Sequence, residues 1–404
     1  PSANTRGSPV RRVLITGAAI MVALIVVAVF WFRELQHDDL QGNAIESLAV
    51  MPLHNLTGEP EQDYYVDGLQ ELLITELSQF SGLRVTSRQS TKRYRGSQLP
   101  ATAIAKELGV DVLVEGSLMR EGSTIEVTVQ LIDGRSDEHL WAERYTRETP
   151  RVFDLISDMA DAIGAEIGAV AGFPEVQERT VDRLESVDPR AIDAYALGIM
   201  YFERFTRDGI RSGIDQFETA VAIEPRFALA WGQLGLAYAM QGMFGFTPPA
   251  KSKQQFHAAE LQAIEADPQV ALGHSGLGAA LWYKWEFADA CESFEDALRL
   301  NPWEPYAIHG DSDCLLFEGR FDESIARARE LLTISPFSTM HSLPLPGHLY
   351  MARRTDEAIT AVKAMQARVP KYSMHWMLAR FFWQQGRFDE ALEEERLELQ
   401  RRGD

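Results

Sequence analysis

Residues 228–238 read ALAWGQLGLAY, and 259–268 close the same unit with AELQAIEADP. Trp231, Leu234, Gly235 and Tyr238 fall on neighbouring turns of one helix, so a bulky, an apolar, a small and an aromatic side chain share a face. Variants of this pattern recur as Ala194, Leu197, Gly198 and Tyr201, and as His274, Leu277, Gly278 and Leu281. A second helical pattern follows, with Ala290, Phe294 and Ala297 ahead of Pro302, echoed by Phe217 and Ala220 ahead of Pro225. Prolines stand at Pro189, Pro225, Pro268, Pro302, Pro336 and Pro370, separated by 36, 43, 34, 34 and 34 residues. A fixed spacing of this size marks stacked helix pairs, each too small to bury its apolar face alone. The small residue on one helix admits a bulky neighbour, and proline stops the second helix.

The pattern resembles the tetratricopeptide (TPR) family, whose first helix carries W-x2-LG-x2-Y. The resemblance implies an all-α solenoid over 190–404 of about six units: 190–225, 226–268, 269–302, 303–336, 337–370 and 371–402. Two units are irregular. GMFGFTPPAKS (242–252) lengthens the turn of the second, and Pro344 and Pro346 fall inside the first helix of the fifth, where they should kink or shorten it. The resemblance also implies a groove lined by first helices. Its positions, carried onto this chain, give Tyr195, Phe202, Trp282, Tyr283, Tyr350, Trp376, Arg380 and Trp383 as peptide-groove candidates, with Leu236, Met240 and Phe317 beside them. Arg380 is the main cation among them, so the family's clamp for acidic chaperone tails, which needs Lys, Arg and Asn, is excluded. Aromatic residues suit an extended peptide or apolar segment. The competing reading places half of these aromatics in the core of their own repeats.

Upstream, 47–53 (SLAVMPL) is a short apolar run with the look of a buried strand. NLTGEP (55–60) is a turn. Tyr65, Leu69, Leu72, Leu73, Leu77 and Phe80 then mark an amphipathic helix that Gly82 ends. A strand at 83–87, a helix at 101–108 stopped by Gly109, a strand at 110–118, an alternating strand at 125–131, a strand at 139–146 and a helix at 152–170 complete the order βαβαβββα. AVMPLHNLTGEPEQDYYVDGLQELLITELSQF, LRVTSRQSTKRY, AIAKELGVDVLVEGSLMREG and VTVQLIDGRSDEHLWAERY resemble the TolB-like amino-terminal domain. They follow one another in that family's order, which implies an α+β domain over 47–172 with no catalytic residues. A linker, 173–189, joins it to the repeats.

The N-terminal end differs in character. Residues 13–32, VLITGAAIMVALIVVAVFWF, hold no charge, and a helix of that length spans a hydrocarbon core of about 30 Å. Residues 1–36 carry a net charge of +3 and the rest −23, within a total of −20. The expectation is a cytoplasmic stub (1–12), a single transmembrane helix (13–32), a linker (33–46), and a periplasmic body in a single-pass bacterial inner-membrane protein. A signal peptide would have a shorter apolar region ending in small residues.

The 59 acidic against 39 basic residues argue against direct nucleic-acid binding. Two cysteines exclude a disulfide framework, and Cys291 and Cys314, on consecutive helices, are expected as buried free thiols. Asp63, Asp67 and Glu71 lie on one helix face, best read as acids complementing the helix dipole. The histidines are scattered and no phosphate-binding glycine loop is present, so no metal, cofactor or catalytic residue is expected. Gly273-His274-Ser275-Gly276 falls short of a nucleophile elbow, because Leu277 stands where glycine is needed. The sequence thus predicts a non-enzymatic protein-interaction or sensory module of bacterial envelope signalling. The order of domains resembles the C-terminal part of winged-helix transcriptional regulators first. Alternatives are the regulatory region of a Ser/Thr kinase or an adenylate or guanylate cyclase, or a standalone scaffold. The expected partners are a protein or peptide through the groove and a membrane through 13–32.

Overall fold

Strand β1 (Ser47–Val50) is buried along its length and alternates its side chains between two covered faces. The computed structural model describes residues 45–59, 63–80, 82–148, 152–171, 187–369 and 374–402. β1 lies parallel to β3 (Arg84–Val85) and to β4 (Val112–Glu121). Parallel neighbours need crossover connections. These are α1 (Asp63–Leu77) and a path through α2 (Arg88–Thr91) and α3 (Ala101–Leu108). β2 (His54–Asn55) adds a short parallel pairing to β4. β5 (Thr124–Asp133) and β6 (His139–Glu148) extend the sheet antiparallel, giving the order β3-β1-β4-β5-β6. Leu48, Val50, Val112 and Val114 pack with α1 and α4 (Val152–Ala171) in one core. Ala49, Met51 and Leu113 face Ile104, Ala105 and Leu108 of α3 on the other side.

Six helix pairs follow among the described residues. They are α5 (Pro189–Phe202) with α6 (Arg207–Ile223), α7 (Ala228–Met243) with α8 (Pro249–Ala266), α9 (Ala271–Tyr283) with α10 (Phe287–Leu300), and α11 (Pro305–Phe317) with α12 (Phe321–Ile334). In the next pair the first helix is split into α13 (Thr339–Ser342) and α14 (Pro344–Met351) before α15 (Thr355–Arg368). Pro344 starts the second piece, where its missing N–H costs nothing. α16 (His375–Gln384) and α17 (Phe388–Arg402) end the array. The turn inside each of the six pairs holds a residue in the left-handed region: Phe205, Gly245, Trp285, Gly319, Arg353 and Gly386. Glycine adopts that backbone freely, and the other three side chains are strained there.

The fold is therefore a mostly helical TPR-like solenoid carrying a small sheet. Among the described residues no helix is long and apolar enough to cross a membrane. The longest, α4, has the length, but it bears Asp154, Asp158, Asp161 and Glu166. This corrects the expected architecture founded on a single transmembrane helix, and with it the single-pass inner-membrane placement with a periplasmic body. Residues 13–32, on which both rested, lie outside the described residues, as do 1–12 and most of the two expected linkers. The thiols also differ from expectation. Cys291 and Cys314 are joined in a disulfide, with 6.0 Å between their Cα atoms, tying α10 to α11.

Candidate functional site

The sheet-bearing part does not hang beside the helical array. It is wedged against it. Gly68 of α1 meets Ala196 of α5 so closely that a Cβ at position 68 would stand 2.6 Å from the alanine Cβ. Arg88, 6% exposed, donates through Nε to Glu71 (2.8 Å) and through its other guanidinium nitrogen to Glu203 at the end of α5. Burial works against the Arg88 charge, but Glu203 and then Glu71 outweigh it and hold the guanidinium above its usual value. Lys92 reaches the same Glu203 at 2.9 Å, and Arg120 pairs with Asp193 at 3.3 Å. A second contact lies farther along the array. The Ser87 N–H donates to the Ile334 carbonyl (3.0 Å) and Arg84 to that of Thr333 (2.6 Å). Phe337 sits under the Arg93 guanidinium, 4.0 Å from its ring centre, and edge-on to Tyr94.

Between these two contacts lies a cavity of about 290 Å³. Glu71 and Arg88 form part of its wall on the sheet side, and Tyr195, Phe227, Glu304, Tyr306 and His341 on the helical side. Glu304 caps α11, accepting from the Ala307 N–H, and burial pushes its carboxyl up to about 7. Burial raises the Tyr306 hydroxyl, and the nearby carboxylates of Glu304, Glu71 and Glu203 add to it. His341 meets the Tyr306 ring at 5.0 Å. Its two ring nitrogens are buried and take no hydrogen bond among the described residues. Burial pushes the imidazole down to about 3, so it is neutral at physiological pH. An unpaired buried polar group of this kind costs about 1–3 kcal/mol. Behind the cavity wall, Glu260 is fully buried in a slot that glycine alone permits. A Cβ at Gly235 would come within 2.1 Å of its Oε1, and one at Gly276 within 2.2 Å of its carboxyl carbon. Burial raises that carboxyl well above its ordinary value.

The eight groove candidates fall into separate environments. Tyr195, 1% exposed, packs against Phe217 and Phe227 and borders the cavity, as does Phe202. Trp282 is half-buried, with Phe287 at 4.8 Å and Phe317 at 6.2 Å. Tyr283 is at the surface, and its carbonyl accepts from Lys253 at 2.8 Å. Tyr350 stacks on Phe381, and the exposed Arg380 guanidinium lies 5.3 Å from its ring centre. Trp376 and Trp383 are exposed, and Trp383 meets Phe388 edge-on at 5.0 Å.

The patterning missed one residue of the exposed set. Trp285 is 77% exposed in its left-handed turn and touches Phe287 at 5.7 Å, while Phe317, 65% exposed, lies 4.5 Å from Phe287. Trp282, Trp285, Phe287 and Phe317 thus form one surface cluster beside the disulfide. A signal existed in the sequence: Trp285 occupies the turn position where Gly319 and Gly386 stand in later pairs.

Two serine arrangements carry no nucleophile. Ser275 is buried within α9 and donates to the Leu272 carbonyl. Ser324 touches His348 Nδ1 at 2.8 Å, and His348 Nε2 touches Asp313 at 2.9 Å. Ser324 is fully buried and donates to the Ser312 carbonyl, so this chain of contacts fastens α11, α12 and α14 together. Among the described residues no cluster of His, Cys, Asp and Glu could hold a metal ion.

Comparison with known proteins agrees with both parts of the fold. Residues 44–162 match the family described as the HilA/YgeH-like transcriptional regulator, second domain, and 348–404 match the tetratricopeptide repeat. A Rhizobium meliloti (strain 1021) protein named "Putative adenylate cyclase 3" is 31% identical over 239 residues, which is 58% of this chain. The chain spans 40% of that protein's length. Among solved structures, PilW, a type IV pilus biogenesis factor, aligns at 19% identity with a TM-score of 0.42, over 53% of this chain and 94% of PilW. A thermophilic TPR protein of Thermus thermophilus aligns at 16% identity with a TM-score of 0.38, over 47% of this chain and 96% of its own.

Proposed function

We propose that this chain is the non-enzymatic protein-interaction and sensory part of a bacterial signalling protein, belonging with winged-helix transcriptional regulators. On this reading the TolB-like α+β unit (47–172) sets the shape of the TPR unit (190–404), and the repeats present aromatic side chains to a protein or peptide. The observation that carries the reading is the surface ring cluster in which Trp285 and Phe317 are exposed over half-buried Trp282 and Phe287. Aromatic residues give large contact area with few rotors and dominate interface energetics. A turn that favours glycine and a surface that favours polar groups have here been given to tryptophan, at a cost to the fold. The match to a regulator domain supports the signalling context.

A second reading, the regulatory region of a nucleotide cyclase, draws on the likeness to the Rhizobium meliloti protein. Deleting the gene distinguishes the two. A regulator's loss changes transcript levels with cyclic AMP unchanged, and a cyclase's loss lowers cyclic AMP. Site-specific photo-crosslinking from positions 285 and 383 in the native host tests the interaction itself. A discrete protein adduct is expected from at least one position. Its absence from both, with adducts formed instead from control positions on α6, would remove the aromatic surface as the interaction site.

A further inference from the structure

The sheet has two edges, and the fold treats them differently. At one edge β3 is two residues long, and the Ser87 N–H just beyond it is taken by the Ile334 carbonyl of the array. At the other edge β6 runs for ten residues, and among the described residues no strand lies beyond it. Natural sheets shorten or cover such edges, because their free backbone groups are a template for another strand. The register shows which groups are free here. The Val114 and Leu118 carbonyls accept from Met51 (2.8 Å) and Leu56 (2.7 Å), so the even-numbered residues of β4 bond toward β1 and β2. Bonding direction alternates along a strand. The odd-numbered residues of β4 therefore bond to their even-numbered partners in β5, and the odd-numbered residues of β5 bond to Trp141, Glu143, Tyr145 and Arg147 of β6. The N–H and C=O groups of Ala142, Arg144, Thr146 and Glu148 point outward, and all four residues are exposed. Thr146 stands midway between a positive and a negative residue on one face of the strand. A second strand reversed about Thr146 would set opposite charges against each other on both sides.

We propose that β6 pairs antiparallel with β6 of a second copy of this chain, about a two-fold axis through Thr146. An axis normal to the sheet keeps the same face up in both copies, so Arg144 of each stands directly opposite Glu148 of the other. Opposite charges facing across strands stabilise the pairing, and like charges destabilise it. Arg144 is 67% exposed and touches Glu126 at 3.4 Å, which leaves guanidinium donors for a second carboxylate. Centring on Arg144 would instead set two arginines face to face. Centring on Tyr145 would rest on Glu143 and Arg147, which Tyr145 and Asp158 already hold at 2.9 and 2.6 Å. The contact of the sheet with Thr333 and Ile334 lies at the opposite edge and does not compete.

Sedimentation equilibrium on the whole purified chain tests this. A dimer is expected at tens of micromolar. Thr146→Pro removes an outward N–H that the fold itself does not use, and should give a monomer with an unchanged melting temperature. Arg144→Glu and Glu148→Arg should each weaken the dimer by roughly tenfold or more, since each sets like charges opposite one another on both sides of the axis. Mixed in equal amounts, these two variants should pair with each other nearly as tightly as the parent chain pairs with itself. That restoration follows from the register and not from a change in folding, so it decides the case even if Thr146→Pro folds poorly. A monomeric parent chain, which would leave the edge to a different partner, would overturn the assignment. So would a dimer that persists in a folded Thr146→Pro chain, or charge variants that stay apart when mixed.

Discussion

The two ends of the helical array rest on different foundations. At the N-terminal end one core runs without a break from Ile45 and Leu48 in the sheet, through Tyr195 and Phe217, to Ala280 in the third helix pair. At the C-terminal end a separate core reaches from Ile325 through Phe381 and Phe382 to Ala391, with no residue of the sheet in it. In an ordinary repeat array each unit leans only on its neighbours, and stability is close to a sum of local terms. Here the first pairs have exchanged that independence for a partner within the chain. The sheet side then touches the array again at Thr333, Ile334 and Phe337. The array is thus strapped at two places, and the helix pairs beyond α13 project free of the strap.

The largest expected effect tests this division directly. Phe217 and Phe381 are both buried, and truncating either to alanine should cost about 3–5 kcal/mol. The consequences should differ in extent. Phe217→Ala should weaken hydrogen-exchange protection in the sheet and the first helix pairs together, whereas Phe381→Ala should weaken α14 to α17 alone. A sheet that keeps full protection in Phe217→Ala would mean that the shared core is a contact and not a cooperative unit.

A smaller loss should follow from Arg88→Met. Removing one member of a buried charge network leaves the others uncompensated, at about 3 kcal/mol for groups this enclosed. Glu71 and Glu203 would then repel across the junction. Limited proteolysis should show earlier cutting between the sheet side and the array, with α16 and α17 unaffected. Denaturant unfolding unchanged from the parent chain would show that the strap depends on the Phe337 contact instead.

The same junction should be sensitive to pH, and the two buried titrating groups act in opposite senses. Glu304 is raised from 4.5 to about 7, so its contribution is fully present below about 4.5 and is lost as pH rises through 7. His341 is lowered from 6.5 to about 3, so its contribution is present above 6.5 and is lost as pH falls. Between about pH 6 and pH 8 the two partly cancel in the parent chain. Glu304→Gln removes one of them, so its stability relative to the parent should improve by about 1 kcal/mol across that interval. Urea unfolding at both pH values measures the difference, and a constant difference would place the Glu304 carboxyl in contact with water.

Much of this organisation was legible in the residues. Gly109 ends its helix with positive φ, and Pro344 splits the helix it interrupts, whereas α1 stops at Leu77, short of Gly82. Alternation in 125–131 placed Ile125, Val127, Val129 and Leu131 in the core. The docking of the sheet side was not legible, because it joins residues 73 to 249 positions apart. It turns the groove reading of Tyr195 and Phe202 around, since a first-helix face covered from within the chain has the same sequence as one open to a peptide. Traces of it were present. Arg84, Arg88, Lys92 and Arg93 form a basic run in an acidic chain, and they meet the Thr333 carbonyl, Glu203 and the Phe337 ring. Glu260 stands on the buried stripe of Phe256, Ala259 and Ala263, where a carboxylate is out of pattern. The unpaired imidazole of His341 left no trace, because burial and the lack of a partner are properties of the folded chain.

The smallest expected effect concerns the turn between α9 and α10, which lies between the two contacts with the sheet side, and it is a gain in stability. Trp285 has φ +70°, a region in which its side chain is strained, and most of its indole faces water. Gly319 and Gly386 occupy the corresponding turns without strain. Trp285→Gly therefore relieves the backbone and gives up little buried area, and it should stabilise the chain by about 0.5–1 kcal/mol after the greater freedom of glycine in the unfolded state is deducted. Arg353→Gly, at φ +62° in a turn without an aromatic cluster, is the control for the backbone term alone. If both variants are more stable and Trp285→Gly alone loses its cross-linked partner, the tryptophan is held in a costly place for binding. If Trp285→Gly destabilises the chain, its contact with Phe287 is structural, and the exposed cluster closes the turn instead of meeting a partner.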